Sequence, residues 1–144
     1  MKKSKMCFVS IVSLMILIGI AIIPSGSSDP IADTELEITS VTAGFAQVIV
    51  DVKNIGNETT DGLQLAIEVK GGLLGRIDLL HLCGGCSSCE PLEPGAIKTE
   101  STMEAGIIFG LGPISITTSA SAINAPEVTV DSTGFVIGPF VIIQ

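Results

Sequence analysis

Polar and apolar residues alternate along most of this chain, and the alternation begins near residue 34. In residues 34–42, Leu36 and Ile38 alternate with Glu35, Glu37 and Thr39. In residues 45–53, Val48, Val50 and Val52 face one way, and Gln47, Asp51 and Lys53 the other. Residues 63–70 set Leu63, Leu65, Ile67 and Val69 against Gln64, Glu68 and Lys70. Residues 113–123 repeat the pattern with Ile114, Ile116 and Thr118 against Ser115, Thr117 and Ser119. A period of two places one face on a core and the other in water, as in antiparallel sheets.

Weaker strands are expected at residues 73–82, with Gly75 as a bulge, and at residues 96–104. A last strand should start at residues 127–131, bend at Ser132-Thr133-Gly134 and run to the C-terminus past a kink at Gly138-Pro139. Ile107-Ile108-Phe109, set between glycines, reads as a short turn that plugs the core. Asn54 to Gly62 and Gly71-Gly72 carry the Asn, Asp and Gly residues of turns. About seven strands at roughly 8–12-residue spacing predict an all-β fold, an immunoglobulin-like antiparallel sandwich.

The first 28 residues follow different rules. Lys2, Lys3 and Lys5 precede an apolar run over residues 7–23, and Pro24-Ser25-Gly26-Ser27-Ser28 follows. This is an N-terminal hydrophobic helix with the signature of a secretory signal or an uncleaved anchor. The lysines would stay inside, so the remainder faces outward, and residues 7–23 are the expected membrane contact. Cys7 precedes most of the apolar run and so is not placed as a lipoprotein cysteine. Residues 1–28 are therefore read as signal or anchor, 29–33 as a spacer and 34–144 as the sandwich.

Charge narrows the partners. Residues 29–144 hold all 15 acidic residues and only four basic ones, Lys53, Lys70, Arg76 and Lys98. Such a surface is a poor match for nucleic acid, which needs clustered Lys and Arg, and for anionic lipid. Composition also constrains the core. With no Trp or Tyr, and with Phe45, Phe109, Phe135 and Phe140 as the aromatics after the apolar run, aliphatic residues must build it.

Chemistry concentrates in one loop, His81-Leu82-Cys83-Gly84-Gly85-Cys86-Ser87-Ser88-Cys89. Three thiols at C-x2-C-x2-C spacing and one imidazole make a Cys3His set that suits zinc. The same set would also hold an iron–sulfur cluster with His81 in place of a thiolate. Structural zinc sites usually join two separated pairs, whereas these ligands are adjacent. In an oxidising compartment the same cysteines form a disulfide staple, most easily Cys83–Cys89, with Cys86 free or linked between chains. Asn57-Glu58-Thr59 is a glycosylation acceptor pattern, with Asn57 in a turn. His81 is the only histidine, and no nucleophile-elbow, zinc-protease or phosphate-cradling motif appears, so no enzyme and no resident cofactor are expected.

Val48-Ile49-Val50-Asp51-Val52-Lys53-Asn54-Ile55-Gly56-Asn57, followed by Leu92-Glu93-Pro94-Gly95, resembles the CARDB group of extracytoplasmic immunoglobulin-like domains over roughly residues 35–122. The resemblance implies a surface adhesion or accessory module without catalytic residues. The Cys-rich loop departs from that pattern, as does the missing aromatic after the Pro-Gly turn.

The expected function is a non-catalytic, extracytoplasmic, membrane-tethered structural or binding module of the cell envelope, associating with other envelope proteins or with itself. One alternative is a metal-binding or redox-responsive surface protein using His81, Cys83, Cys86 and Cys89. Another is an extracellular filament subunit that donates an apolar strand, residues 135–143 or the stretch 31–42, to its neighbour.

Overall fold

A computed structural model of the chain describes residues 33–83 and 89–144. The N-terminal apolar run and its following spacer up to residue 32 lie outside them, as does Cys86. Among the described residues no helix is long and apolar enough to cross a membrane.

Eight antiparallel strands form two facing sheets. The strands are β1 (Leu36–Gly44), β2 (Gln47–Asn54), β3 (Gln64–Gly71), β4 (Ile77–Cys83), β5 (Ile97–Ser101), β6 (Gly110–Ala122), β7 (Ala125–Gly138) and β8 (Phe140–Ile143). The smaller sheet has the order β1-β2-β5, and the larger β4-β3-β6-β7-β8. Strand β5 returns to pair with β2, and β6 with β3, so the chain changes sheets after β2, β4 and β5. This interleaving is the Greek-key signature of an immunoglobulin-like sandwich.

The core follows the period of two. Val48, Val50 and Val52 point from the small sheet at Leu65, Ile67, Val69 and Ile116 of the large one, all buried. No aromatic side chain joins this cluster. Between them, Thr118 is completely buried and its Oγ1 has no hydrogen-bond partner among the described residues. A dry, unpaired hydroxyl costs about 1 kcal/mol or more. Thr118→Val should therefore raise the melting temperature by about 4 °C. A lower Tm would show that the hydroxyl is better satisfied than its geometry indicates.

The alternation in β1 slips where the pairing does. The register with β2 shifts between Ile38 and Ser40, a β-bulge that puts both Ile38 and Val41 against the core despite their odd spacing. On the outer face beside it, Ser40, Asp51 and Thr99 stand in one row across β1, β2 and β5. Thr99 Oγ1 donates to Asp51 Oδ1 at 2.6 Å and Ser40 Oγ donates to Oδ2 at 2.7 Å. The Thr99 bond, then the Ser40 bond, hold the Asp51 carboxyl below its ordinary 3.8. A depressed carboxyl stabilises the fold above its unfolded value, and that gain disappears as pH falls through the lower folded value. Asp51→Ala should cost only about 0.5 kcal/mol at pH 7, because water screens the site. Chemical denaturation should show that difference fading as the pH falls below 3.8 and through the lower folded value.

Several boundaries differ from the sequence expectation. Residues 73–75 form a short 3-10 turn, so β4 starts at Ile77, and Gly75 belongs to that turn. The polar strand at residues 96–104 ends at Ser101, whose hydroxyl caps a second 3-10 turn by accepting from Met103 N–H. Strand β7 runs unbroken through Ser132-Thr133-Gly134. Gly138-Pro139 is a hairpin turn and not a kink: Gly138 has φ 61°, which suits glycine, and the chain reverses to give β8 as the eighth strand. Residues 135–143 therefore pair within their own sheet, burying Val136 and Val141, and β1 pairs with β2. In this fold the described part of each donor segment pairs within its own chain.

Candidate functional site

Two places carry more than packing. The first lies where β4, an edge strand of the large sheet, and β5, an edge strand of the small one, bring His81 and Glu100 together. Inward positions on β4 alternate as Ile77, Leu79, His81 and Cys83, so His81 points into the sandwich and is 5% exposed. Inward positions on β5 are Lys98 and Glu100, opposite Val52 and Val50 of β2. Inward-facing charge on a short edge strand discourages pairing with another chain. His81 Nε2 lies 3.4 Å from Glu100 Oε2, and Lys98 Nζ lies 3.3 Å from Glu100 Oε1.

Cys83 ends β4, and Cys89 is buried beside it. The structure joins these two cysteines, with Cα atoms 5.8 Å apart, inside the span a disulfide bridges. Their sulfurs and a Glu100 carboxylate oxygen lie within 4.8 Å of one another. His81, Glu100 and Glu104 make a second group within the same limit. The four-ligand set expected from the sequence is thus divided. His81 groups with Glu100 and Glu104 rather than with the two sulfurs, and Cys86 falls outside the described residues. Glu100 was missed because it stands in a polar stretch whose alternation gives no sign of which side faces inward.

Above this edge, the two motif segments Asn54-Ile55-Gly56 and Leu92-Glu93-Pro94-Gly95 meet. Asn54 is 0% exposed. Its Nδ2 donates to Glu58 O at 2.7 Å and to Leu92 O at 2.8 Å, and its Oδ1 accepts from Gly56 N–H at 3.0 Å. Gly95 N–H donates to Asn54 O, and Asn54 N–H to Ala96 O. Thr60 adds a further tie, its Oγ1 accepting from Leu92 N–H at 2.7 Å. Gly56 is required by close approach: a Cβ there would sit 2.3 Å from Asp33 O. These ties hold the loop that carries Cys89 against the body of the domain. Asn57 is exposed in the same turn, its Oδ1 accepting from Asp33 N–H at 2.9 Å.

The second place is an apolar face at the opposite end. On the outer side of the large sheet, Leu111, Ile137 and Phe140 form one cross-strand row and Pro113, Phe135 and Ile142 the next. Phe45 in the β1–β2 turn stacks edge-on against Phe140 with ring centres 5.8 Å apart. Leu73, Leu74 and Phe109 extend the patch around a shallow cleft that also includes Arg76 and Gly138. All four phenylalanines of the domain are exposed, by 37–67%. Rows nearer the middle of the same sheet are polar: Ser115 pairs with Thr133, and Thr117 with Asp131. The apolar C-terminal stretch thus serves the core on one face and the surface on the other.

No known family model matches the chain, and no curated protein matches it. The CARDB likeness accordingly remains one of two short motifs. Among solved structures, the archaellum periplasmic stator protein FlaG from Sulfolobus acidocaldarius is similar at 17% identity, with a TM-score of 0.45. The match covers 68% of this chain and 98% of that one.

Proposed function

We propose that this chain is a non-catalytic, extracytoplasmic, membrane-tethered module of the cell envelope, which binds a partner protein through the apolar face of β6, β7 and β8. The observation that supports this most is the use of aromatic residues. A domain with only four of them keeps all four out of its core and gathers them with Leu, Ile and Pro at one end. Contiguous exposed apolar patches mark interaction surfaces, and aromatics are enriched in interface cores.

The geometry of attachment fits. The chain enters at Asp33, beside Asn57, at the end where β1 begins. The patch lies at the other end, nine residues of β1 away, roughly 30 Å at ~3.3 Å per residue. An anchor formed by residues 7–23 would hold the domain at the membrane and present the patch outward. The partner is a protein surface with an apolar centre and a basic rim, because the domain carries only four cations against its many carboxylates.

The test is the double variant Ile137→Ser/Phe140→Ser. Both side chains are exposed, so the fold should survive. A purified envelope protein that binds the wild-type chain should lose at least tenfold in affinity for the variant, and its on-rate should fall with salt. Unchanged affinity would overturn the reading. Sedimentation showing a wild-type dimer that the variant abolishes would overturn the choice of partner, assigning the face to a second copy of this chain.

A further inference from the structure

The edge between β4 and β5 holds a donor set that the packing alone does not require. We propose that Cys83, Cys89, Glu100 and His81 form a Zn²⁺ site that the Cys83–Cys89 disulfide keeps closed and that reduction opens. This is independent of the apolar face and of the partner that face binds.

Four observations carry it. The two sulfurs and the Glu100 carboxylate already lie within 4.8 Å of one another. Zn–S bonds of about 2.3 Å and Zn–N or Zn–O bonds of about 2.0–2.2 Å put tetrahedral ligands roughly 3.3–3.8 Å apart, so breaking the S–S bond has to let the two sulfurs part while the carboxylate closes by about an ångström. His81 Nε2 is 3.4 Å from Glu100 Oε2 and groups with Glu100 and Glu104 rather than with the sulfurs, so Glu100 is the shared donor and the His81 ring must swing toward the sulfurs to complete the set. His81 and Cys89 are 5% and 6% exposed, so two of the four donors are already largely out of water. Lys98 sits 3.3 Å from the other Glu100 oxygen, where it orients the carboxylate as an outer partner. Two thiolates and one carboxylate around Zn²⁺ leave one excess negative charge, which Lys98 balances. Glu100 comes from the opposite sheet, so the site would replace one cross-link, within the loop, with another that ties β4 to β5.

The chemistry balances. A dithiol reductant gives up two electrons and two protons and closes its own disulfide, while the Cys83–Cys89 S–S bond breaks to two thiols. Zn²⁺ then displaces the two thiol protons as it binds.

The plain alternative is a buried His–Glu pair that only satisfies itself beside a structural disulfide. The full chain in detergent separates the two. It is reduced with a dithiol, desalted without air and titrated with zinc chloride alone, with Co²⁺ as the spectroscopic stand-in. About one equivalent per reduced chain, none per oxidised chain, and a cobalt–thiolate charge-transfer band are expected. Glu100→Gln and His81→Ala should each weaken zinc at least tenfold, Glu100→Asp should retain more than Glu100→Gln, and Cys86→Ser should change nothing. Circular dichroism confirms that each variant is folded before it is scored. No zinc uptake by the reduced chain would overturn the proposal. So would uptake lost in Cys86→Ser but kept in Glu100→Gln, because the metal would then belong to the three-cysteine loop alone.

Discussion

Replacing Asn54 with alanine is expected to cost about 3–5 kcal/mol, a large part of the 5–15 kcal/mol that holds a typical domain together. The amide is 0% exposed and satisfies three backbone groups, Glu58 O, Leu92 O and Gly56 N–H. Each group left dry and unpaired costs about 1–3 kcal/mol, and partial access of water to Glu58 and Gly56 keeps the sum near the lower values. Asn54→Asp is a sharper control. Its carboxylate keeps an acceptor for Gly56 but turns an anion toward two carbonyl oxygens. It should be no better than alanine at pH 7 and should recover part of its stability in acid, where a protonated carboxyl donates once. Urea melts at pH 7 and pH 4 measure both. A loss below 1 kcal/mol for Asn54→Ala would mean that the contact between the two motifs is incidental.

The tripeptide Ile107-Ile108-Phe109 should respond in opposite ways at neighbouring positions. Ile108 is 1% exposed and its N–H donates to Ala46 O at 2.8 Å, closing the end of the sandwich. Ile108→Ala should cost about 2–4 kcal/mol, from lost burial and the cavity left behind. Phe109 is 67% exposed in the apolar patch. Phe109→Ser should change stability by no more than about 0.5 kcal/mol. Thermal melts of the two variants decide the matter. If Phe109→Ser unfolds the domain, the patch is a misplaced part of the core and the proposed binding face loses its main support.

These two cases show where reading the chain succeeds. Ile108 was legible as a plug, since an apolar triplet between glycines has to put something inside. Which of its three residues goes in was not, because a loop has no period to assign faces. Asn54 was legible as a turn residue. That its side chain would be completely buried and tied to Leu92 depends on a loop 38 residues away. Hairpin β7–β8 was read as one strand because Gly138-Pro139 fits both a kink and a reversal. Pairing of Val136 with Val141 and of Ile137 with Phe140 makes it a reversal.

The candidate metal edge divides in the same way. Cys83, Cys89 and His81 advertise themselves by type and spacing. Glu100 is one carboxylate among many in an acidic chain, and it gains meaning only because β5 pairs with β2 and so brings it within reach of His81 on β4.

By itself, the sequence determined the all-β class, the faces of β2, β3 and β6 and the aliphatic core, because a period of two is a local property and burial rewards it directly. It also determined the acidic surface and the apolar N-terminal run. The tertiary structure alone decided the sheet order, the pairing of His81 with Glu100 and the gathering of four phenylalanines at the end far from the start of β1. Each of these joins residues remote in sequence, and such contacts follow from how the strands pack rather than from local preference.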